Sequence, residues 1–259
     1  MVDKQTTILT IAGSDNTSGA GIQADIKTSC ILGVYCLSAI TTVTSQNSKK
    51  ISKLFNIPNH ILESQLRASF DEYEINGVKI GLVNNTSTAR VIYDFLNHFK
   101  KKIPIVIDPI FESTNKRKFC NSEEYQKIHK IFSKLKPIYT PNLYEAKALI
   151  GSRNKKMNIE KIYQLLKKKY KCEFVITGGD SISDHCLDYL EVDGKIQVFK
   201  SKKKSTTSTH GSGCIFSSAL TIFLAKKYSL IESIKKSKKF INKQIELSPK
   251  LNVKYGPLI

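Results

Sequence analysis

The sequence predicts an α/β protein built on a mostly parallel central sheet with helices on both faces. Three observations carry this. Short β-branched runs alternate with helical patterns along most of the 259 residues, the βαβ rhythm that a parallel sheet requires. Polar motifs follow the strand runs at Gly13-Ser14-Asp15, Gln46-Asn47, Asp108-Pro109, Pro141-Asn142 and Gly178-Gly179-Asp180, the end of an open α/β sheet where ligands bind. Late in the chain Asp193-Gly194 separates two strand-like runs, the two-residue turn favoured in antiparallel hairpins.

Each element follows in order. Thr6–Ala12 is a β-branched strand, and Gly19-Ala20-Gly21 opens a helical pattern through Leu32. Tyr35–Val43 reads as a second strand, rich in Ile, Val and Thr. The polar stretch Asn47–Lys53 reads as a connection before a helix over Pro58–Phe70, with the proline in its first turn. Strand Gly77–Ile80 precedes helix Ser87–Phe99, which expects a Ser or Thr cap. Strand Ile103–Asp108 ends in Asp-Pro, a signal for leaving the sheet. Helix Ser122–Leu135, strand Ile138–Thr140, helices Leu143–Ile150 and Ile159–Tyr170 and strand Phe174–Thr177 continue the alternation. The hairpin pairs Cys186–Val192 with Lys195–Lys200; a basic loop, Ser201–Thr209, leads to helices Gly213–Lys227 and Leu230–Leu247. No repeat or low-complexity linker divides the chain, so residues 1–259 are expected to form one domain.

Composition narrows the function. Hydrophobic residues at 41% and charged residues at 24% exclude an intrinsically disordered chain. The longest apolar run, Ile215–Ala225, is shorter than the roughly 20 residues that span a bilayer, and no secretory leader is visible. Six scattered cysteines without a C-x-x-C pair point to a reduced, cytoplasmic setting. The net charge is +19, but of 41 basic residues only Arg67, Arg90, Arg117 and Arg153 are arginine. Lysine runs without interleaved aromatics read as solvated faces rather than a nucleic-acid surface. Neither a nucleic-acid nor a membrane partner is expected.

The sharpest chemical signal is Thr209-His210-Gly211-Ser212-Gly213-Cys214 directly before an apolar helix. Unpaired N–H groups and the positive end of the helix dipole bind anions, phosphate foremost. Cys214 lies in that first turn, where the dipole is expected to lower its thiol pKa from about 8.5 towards 7, so that it could take a proton from an alcohol. An incidental buried cysteine is the alternative. No Walker-A motif or hydrolase elbow is present.

The runs Leu9–Asp15 and Ser18–Thr28 resemble the N-terminal signature of the hydroxymethylpyrimidine/phosphomethylpyrimidine kinases of thiamine biosynthesis, within the ribokinase-like superfamily. The likeness continues through Thr41–Asn47, Val78–Gly81, Val106–Pro109, Thr140–Ala146 and Thr209–Cys214, about residues 6–225. It implies a three-layer αβα fold, ATP and Mg²⁺ as cofactors, a small pyrimidine substrate and a homodimer. It further implies that Cys214 is the general base for the hydroxymethyl group, and that N–H groups of Gly211, Ser212, Gly213 and Cys214 form an anion hole. Gln46 would bond the aminopyrimidine edge; Gly13, Asp25, Thr44, Leu82 and Ile110 would line its pocket. Asn142 and Glu145 match an N-x-x-E motif associated with Mg²⁺ and phosphate, with Asp108 at the neighbouring strand end; Glu145 and Asp108 are the implied metal ligands. Asp25 could instead be an ordinary early-helix acid, Asp15 either braces the Gly-rich turn or meets ligand, and His210 is expected to be structural.

Two departures lie on the nucleotide side. The family commonly carries Lys-Gly-Gly-His where this chain has Thr177-Gly178-Gly179-Asp180, and a Gly-containing loop after Asp-Pro where this chain has Phe111–Lys116. The principal expectation is ATP-dependent phosphorylation of 4-amino-5-hydroxymethyl-2-methylpyrimidine and its monophosphate. The alternatives are a pyridoxal or pyridoxine kinase of the same fold and a non-catalytic ligand- or polyanion-binding relative.

Overall fold

The computed structural model describes residues 5–99, 102–113, 115–152, 156–179, 184–204, 206, 210–249, 251, 253 and 256–259. The strands are β1 (Thr7–Asp15), β2 (Tyr35–Gln46), β3 (Ile51–Asn56), β4 (Gly77–Ile80), β5 (Ile105–Ile107), β6 (Ile138–Tyr139), β7 (Glu173–Ile176), β8 (His185–Val192) and β9 (Lys195–Lys202). The helices are α1 (Gly21–Ile31), α2 (Asn59–Glu72), α3 (Thr86–His98), α4 (Ser122–Phe132), α5 (Leu143–Ile150), α6 (Ile159–Tyr170), α7 (Ser212–Ala225) and α8 (Leu230–Leu247). One nine-stranded sheet runs in the order β3-β2-β1-β4-β5-β6-β7-β8-β9. Its centre, from β2 through β7, is parallel; β3 and the β8–β9 hairpin are antiparallel.

Burial explains the order. Ile8, Leu9, Ile11 and Ala12 are fully buried although successive residues face opposite sides, because helices cover both faces of a central parallel strand. Helices α2–α6 enclose the larger core, including Leu62, Leu66, Ile92, Tyr125, Leu149 and Leu166. On the other face α7 lies against α1 and α8. Ile215, Ala219, Leu220 and Ile222 of α7 are wholly inaccessible, which is why its sequence is apolar nearly all round.

The expected architecture is present, with local corrections. The stretch read as a polar connection contains β3, an antiparallel partner of β2. Its period is masked by exposed Ser52, Lys53 and Phe55, the composition of an edge strand. The β2–β3 turn is closed by Asn47, whose side chain accepts from the N–H groups of Lys49 and Lys50. Strands β1 and β2 run to Asp15 and Gln46, three residues beyond the expected ends, with Thr44 opposite Asp15. Helix α3 is capped by Asn85, not by Ser or Thr, and Pro58 stands at the N-cap of α2 rather than inside it. The hairpin turn is of the expected type, with φ +49° at Asp193 and +77° at Gly194.

Candidate active site

The carboxyl ends of β1, β4 and β5 meet helix α7 near its start. Gly211 is the N-cap, at φ +83°, and no side chain caps the helix. Its first N–H groups are therefore available to an anion. Glycine is required here for space as well as conformation: a Cβ at Gly211 would lie 1.8 Å from the Gly19 carbonyl oxygen. A Cβ at Gly21, at φ +60°, would lie 2.2 Å from the Gly13 carbonyl oxygen. The loop after β1 and the start of α7 thus touch backbone to backbone. Thr209 and Asp180, flagged in the sequence, lie outside the described residues.

Beneath this helix start lies a buried polar network. Lys79, from the middle of β4, is fully buried and pairs with fully buried Asp25 of α1 at 2.9 Å. Asp25 also accepts from Thr10 Oγ1 at 2.5 Å and Ser218 Oγ at 2.6 Å. Its carboxylate is taken up by these partners, which makes Asp25 a buried counter-ion in this structure. Asp108 lies under the first turn of α7, since a Cβ at Gly213 would stand 3.7 Å from its Oδ2. It accepts hydrogen bonds from the Cys214 thiol and Ser217 Oγ. Burial raises its pKa, partly opposed by the Lys79 ammonium and by those hydrogen bonds.

Cys214 corrects the thiolate expectation. The residue is 5% exposed, and burial drives its thiol pKa up, opposed by Lys79 and reinforced by Asp108 and Asp25. Full burial shifts a pKa by up to about 3–5 units. A helix terminus contributes only about 0.3–1 kcal/mol, under one unit. Desolvation wins, and the thiol keeps its proton in this structure, hydrogen-bonded to Asp108.

The other flagged residues fall into place around this centre. Gly13, Thr44 and Leu82 meet at adjoining strand ends: Thr44 Oγ1 donates to the Ser14 carbonyl at 2.9 Å, and a Cβ at Gly13 would be 3.1 Å from Leu82 Cδ2. Ile110 packs in the cluster that contains Cys214 and Ala24. Gln46 stands half-buried at the rim, held through its backbone by Asn16, which accepts from its N–H at 2.7 Å. Its side-chain amide is unengaged among the described residues. Asp15 is the turn brace: it accepts from Thr17 N, Thr17 Oγ1, Ala20 N and His210 Nε2.

Asn142 and Glu145 form a reciprocal capping box on α5, each side chain accepting from the other's N–H. The N-x-x-E spacing is accounted for locally by that cap. Among the described residues no group of three or more His, Cys, Asp or Glu side chains could hold a metal ion, and Glu145 and Asp108 both have protein partners here. Lys116, in the loop after Asp108-Pro109, pairs with Glu112 at 3.0 Å. Arg117 ties the same loop to β3 through the Ile51 carbonyl.

Lys79 lies within the Val78–Gly81 motif, but no role follows for it from the motif alone. Its signal was present as a lysine inside an otherwise apolar central strand, where a charge needs a buried partner.

No helix of the described residues is long and apolar enough to cross a membrane, and all six cysteines are free thiols. A family model described as phosphomethylpyrimidine kinase matches residues 15–259. The chain is 36% identical to the hydroxymethylpyrimidine/phosphomethylpyrimidine kinase of Aquifex aeolicus, over 95% of this chain and 97% of that one. It is 34% identical to the enzyme of that name from Haemophilus influenzae, over 96% and 94%. Among solved structures, an ADP complex of Bacillus subtilis pyridoxal kinase superposes with a TM-score of 0.87 at 31% identity, covering 98% of this chain and 97% of that one. A phosphomethylpyrimidine kinase from Clostridium difficile gives 0.78 at 30%, covering 93% and 100%. On the family model and on these identities over nearly the full length, this chain belongs to the phosphomethylpyrimidine kinase family.

Proposed function

We propose that the chain, acting as one catalytic domain, transfers the γ-phosphoryl group of ATP to the hydroxymethyl oxygen of 4-amino-5-hydroxymethyl-2-methylpyrimidine, and then phosphorylates the monophosphate. The observation that carries this reading is Cys214 placed between a carboxylate and an anion-binding helix start. The acceptor hydroxyl proton passes to Cys214 Sγ while the thiol proton passes to Asp108, whose burial-raised pKa suits it to receive one. The N–H groups of Gly211–Cys214 hold the transferred phosphoryl oxygens. Gly13, Thr44, Leu82 and Ile110 enclose the ring, and the free Gln46 amide offers a donor and an acceptor to the aminopyrimidine edge. Mg²⁺ would arrive on the nucleotide phosphates, largely held by water and phosphate oxygens.

ADP release with ATP and Mg²⁺, measured in parallel on the pyrimidine, its monophosphate and pyridoxal, tests the assignment. Pyrimidine turnover is expected. Cys214→Ala should lower kcat by about two to four orders of magnitude, the span of general acid–base catalysis, with pyrimidine affinity retained. Undiminished turnover in that variant would remove the proton path. The likeness to Bacillus subtilis pyridoxal kinase favours a second reading, in which pyridoxal is the acceptor. Turnover confined to that lane decides for it. Silence in all lanes from folded protein would favour a non-catalytic binding role.

A cytoplasmic homodimer completes the proposal. The exposed edge of the sheet supports the dimer: Val43 and Phe55 oppose each other across β2 and β3 and are 41% and 65% exposed. Light scattering should give twice the chain mass for the wild type and a monomer for Phe55→Glu. A monomeric wild type would overturn the dimer.

A further inference from the structure

The mechanism above leaves buried Asp15 and its partner His210 unused. Asp15 is 3% exposed, and its Oδ2 accepts from Ala20 N at 3.0 Å and His210 Nε2 at 2.8 Å. Its Oδ1 is filled by Thr17 N and Thr17 Oγ1, both at 2.8 Å. These bonds hold its pKa down at about 2 despite burial, so the carboxylate is charged throughout the working range. Asp15 ends β1 on the acceptor side, whereas His210 immediately precedes the anion-binding turn. Their side-chain hydrogen bond joins these two segments.

The packing gives the pair leverage. A Cβ at Gly19 would stand 2.3 Å from His210 Cδ2, so the imidazole is pressed against the loop that Asp15 folds. On its other side His210 is held through its backbone N–H, which donates to the Gly256 carbonyl at 3.2 Å. The start of α7 has no side-chain cap and a left-handed N-cap residue, so its position is imposed from outside the helix. Reactant placement matters steeply in phosphoryl transfer: a misplacement of about 1 Å can cost about 100-fold in rate.

We propose that His210 is a positioning residue, clasped by Asp15, that sets the distance between the acceptor hydroxyl bound at the β1 end and the anion hole at the α7 start. This rests on the kinase reading above. It differs from a purely structural histidine in what it moves. Loss of the clasp displaces the anion hole relative to the acceptor while leaving both binding surfaces intact, so kcat falls and KM does not follow.

The test compares His210→Ala, His210→Gln and Asp15→Asn with wild type by steady-state kinetics and by hydrogen exchange at the amides of residues 211–214. In His210→Ala, kcat should fall about 10- to 100-fold with both KM values within about threefold. Those amides should exchange at least about tenfold faster, while β4 and β5 stay protected. His210→Gln, whose amide nitrogen can still donate to Asp15, should recover most of both properties. Asp15→Asn, which removes the charge, should fall between them. Unchanged kcat and exchange in His210→Ala overturn the clasp. So does a loss shared equally by kcat, KM and Tm, or a glutamine variant no better than alanine. Should His210→Ala fail to fold, the Gln and Asn variants carry the same comparison. A wild type inactive on every acceptor defeats the kinase reading, while exchange still reports whether the clasp holds the turn.

Discussion

Lys79 and Lys238 are both buried against an aspartate, yet their surroundings differ. Lys79 and Asp25 are wholly inaccessible, and the hydroxyls of Thr10 and Ser218 fill the remaining bonds of the carboxylate. Charge on Lys79 acts on Asp108 and Cys214, the two groups placed in the proton path. Lys238 and Asp188 lie nearer the rim at 9% and 7% side-chain exposure, and Asp188 also accepts from Gly178 N–H at 3.1 Å. Lys238 lines a groove of about 780 Å³ between β9 and α8, with Lys200, Lys235, Lys239 and Lys243. The first pair maintains a charge balance beneath the chemistry. The second fixes α8 to the turn where the family's usual lysine is replaced by Thr177. Ion pairs of the same chemical type lie under the proposed proton path in one place and tie a helix to a turn in the other, and burial depth with neighbouring acids tells them apart.

The largest effect should come from Lys79→Met. Removing one partner of a buried pair leaves an uncompensated charge and costs about 3–5 kcal/mol, read by urea denaturation. Lys79→Arg should not rescue it, because Lys79 Nζ already lies 2.8 Å from where a Cβ at Gly81 would be. Stability equal to wild type would break the comparison. Lys238→Met should cost less, about 1–3 kcal/mol, because the orphaned Asp188 can be rehydrated from the rim. If the reading of this region as scaffold is right, pyrimidine KM stays fixed while ATP KM rises.

His129 sharpens the contrast, because among the described residues its buried Nδ1 has no partner. Burial among Tyr125, Phe132 and Tyr139 lowers its pKa from 6.5 to about 3. The unfolded chain takes up this proton below pH 6.5 and the folded one does not. Stability should therefore fall as pH drops below 6.5, approaching about 1.4 kcal/mol per pH unit from this group until pH 3. His129→Leu should flatten that slope in thermal melts between pH 7 and 5; an unchanged slope assigns the acid sensitivity elsewhere. The smallest effect is Asn142→Ala, about 1 kcal/mol for a lost helix cap. A fall in activity well beyond that stability loss would mean the N-x-x-E segment does more than cap α5.

Much of this was legible in the chain order. Strand alternation, the Asp-Gly hairpin and the glycine-rich start of α7 are local signals, set by side-chain periodicity and by positions that only glycine tolerates. Strand β3 was not, because an edge strand with a solvated face loses the apolar period that reveals buried strands. The Asn142–Glu145 spacing was legible as a motif but not as a cap, since both readings share one spacing.

The amino-acid sequence by itself determined the fold class, the family and the residues that gather at the strand ends, because those depend on patterning and short-range chemistry. Tertiary structure decided what the charges do. Asp25 became a counter-ion, Lys79 its partner, Cys214 a protonated thiol and Asp15 a clasp on His210. Those outcomes depend on desolvation and on contacts between residues far apart in the chain, as with Asp25 and Lys79 or Asp15 and His210. No local pattern encodes how completely water is excluded where they meet.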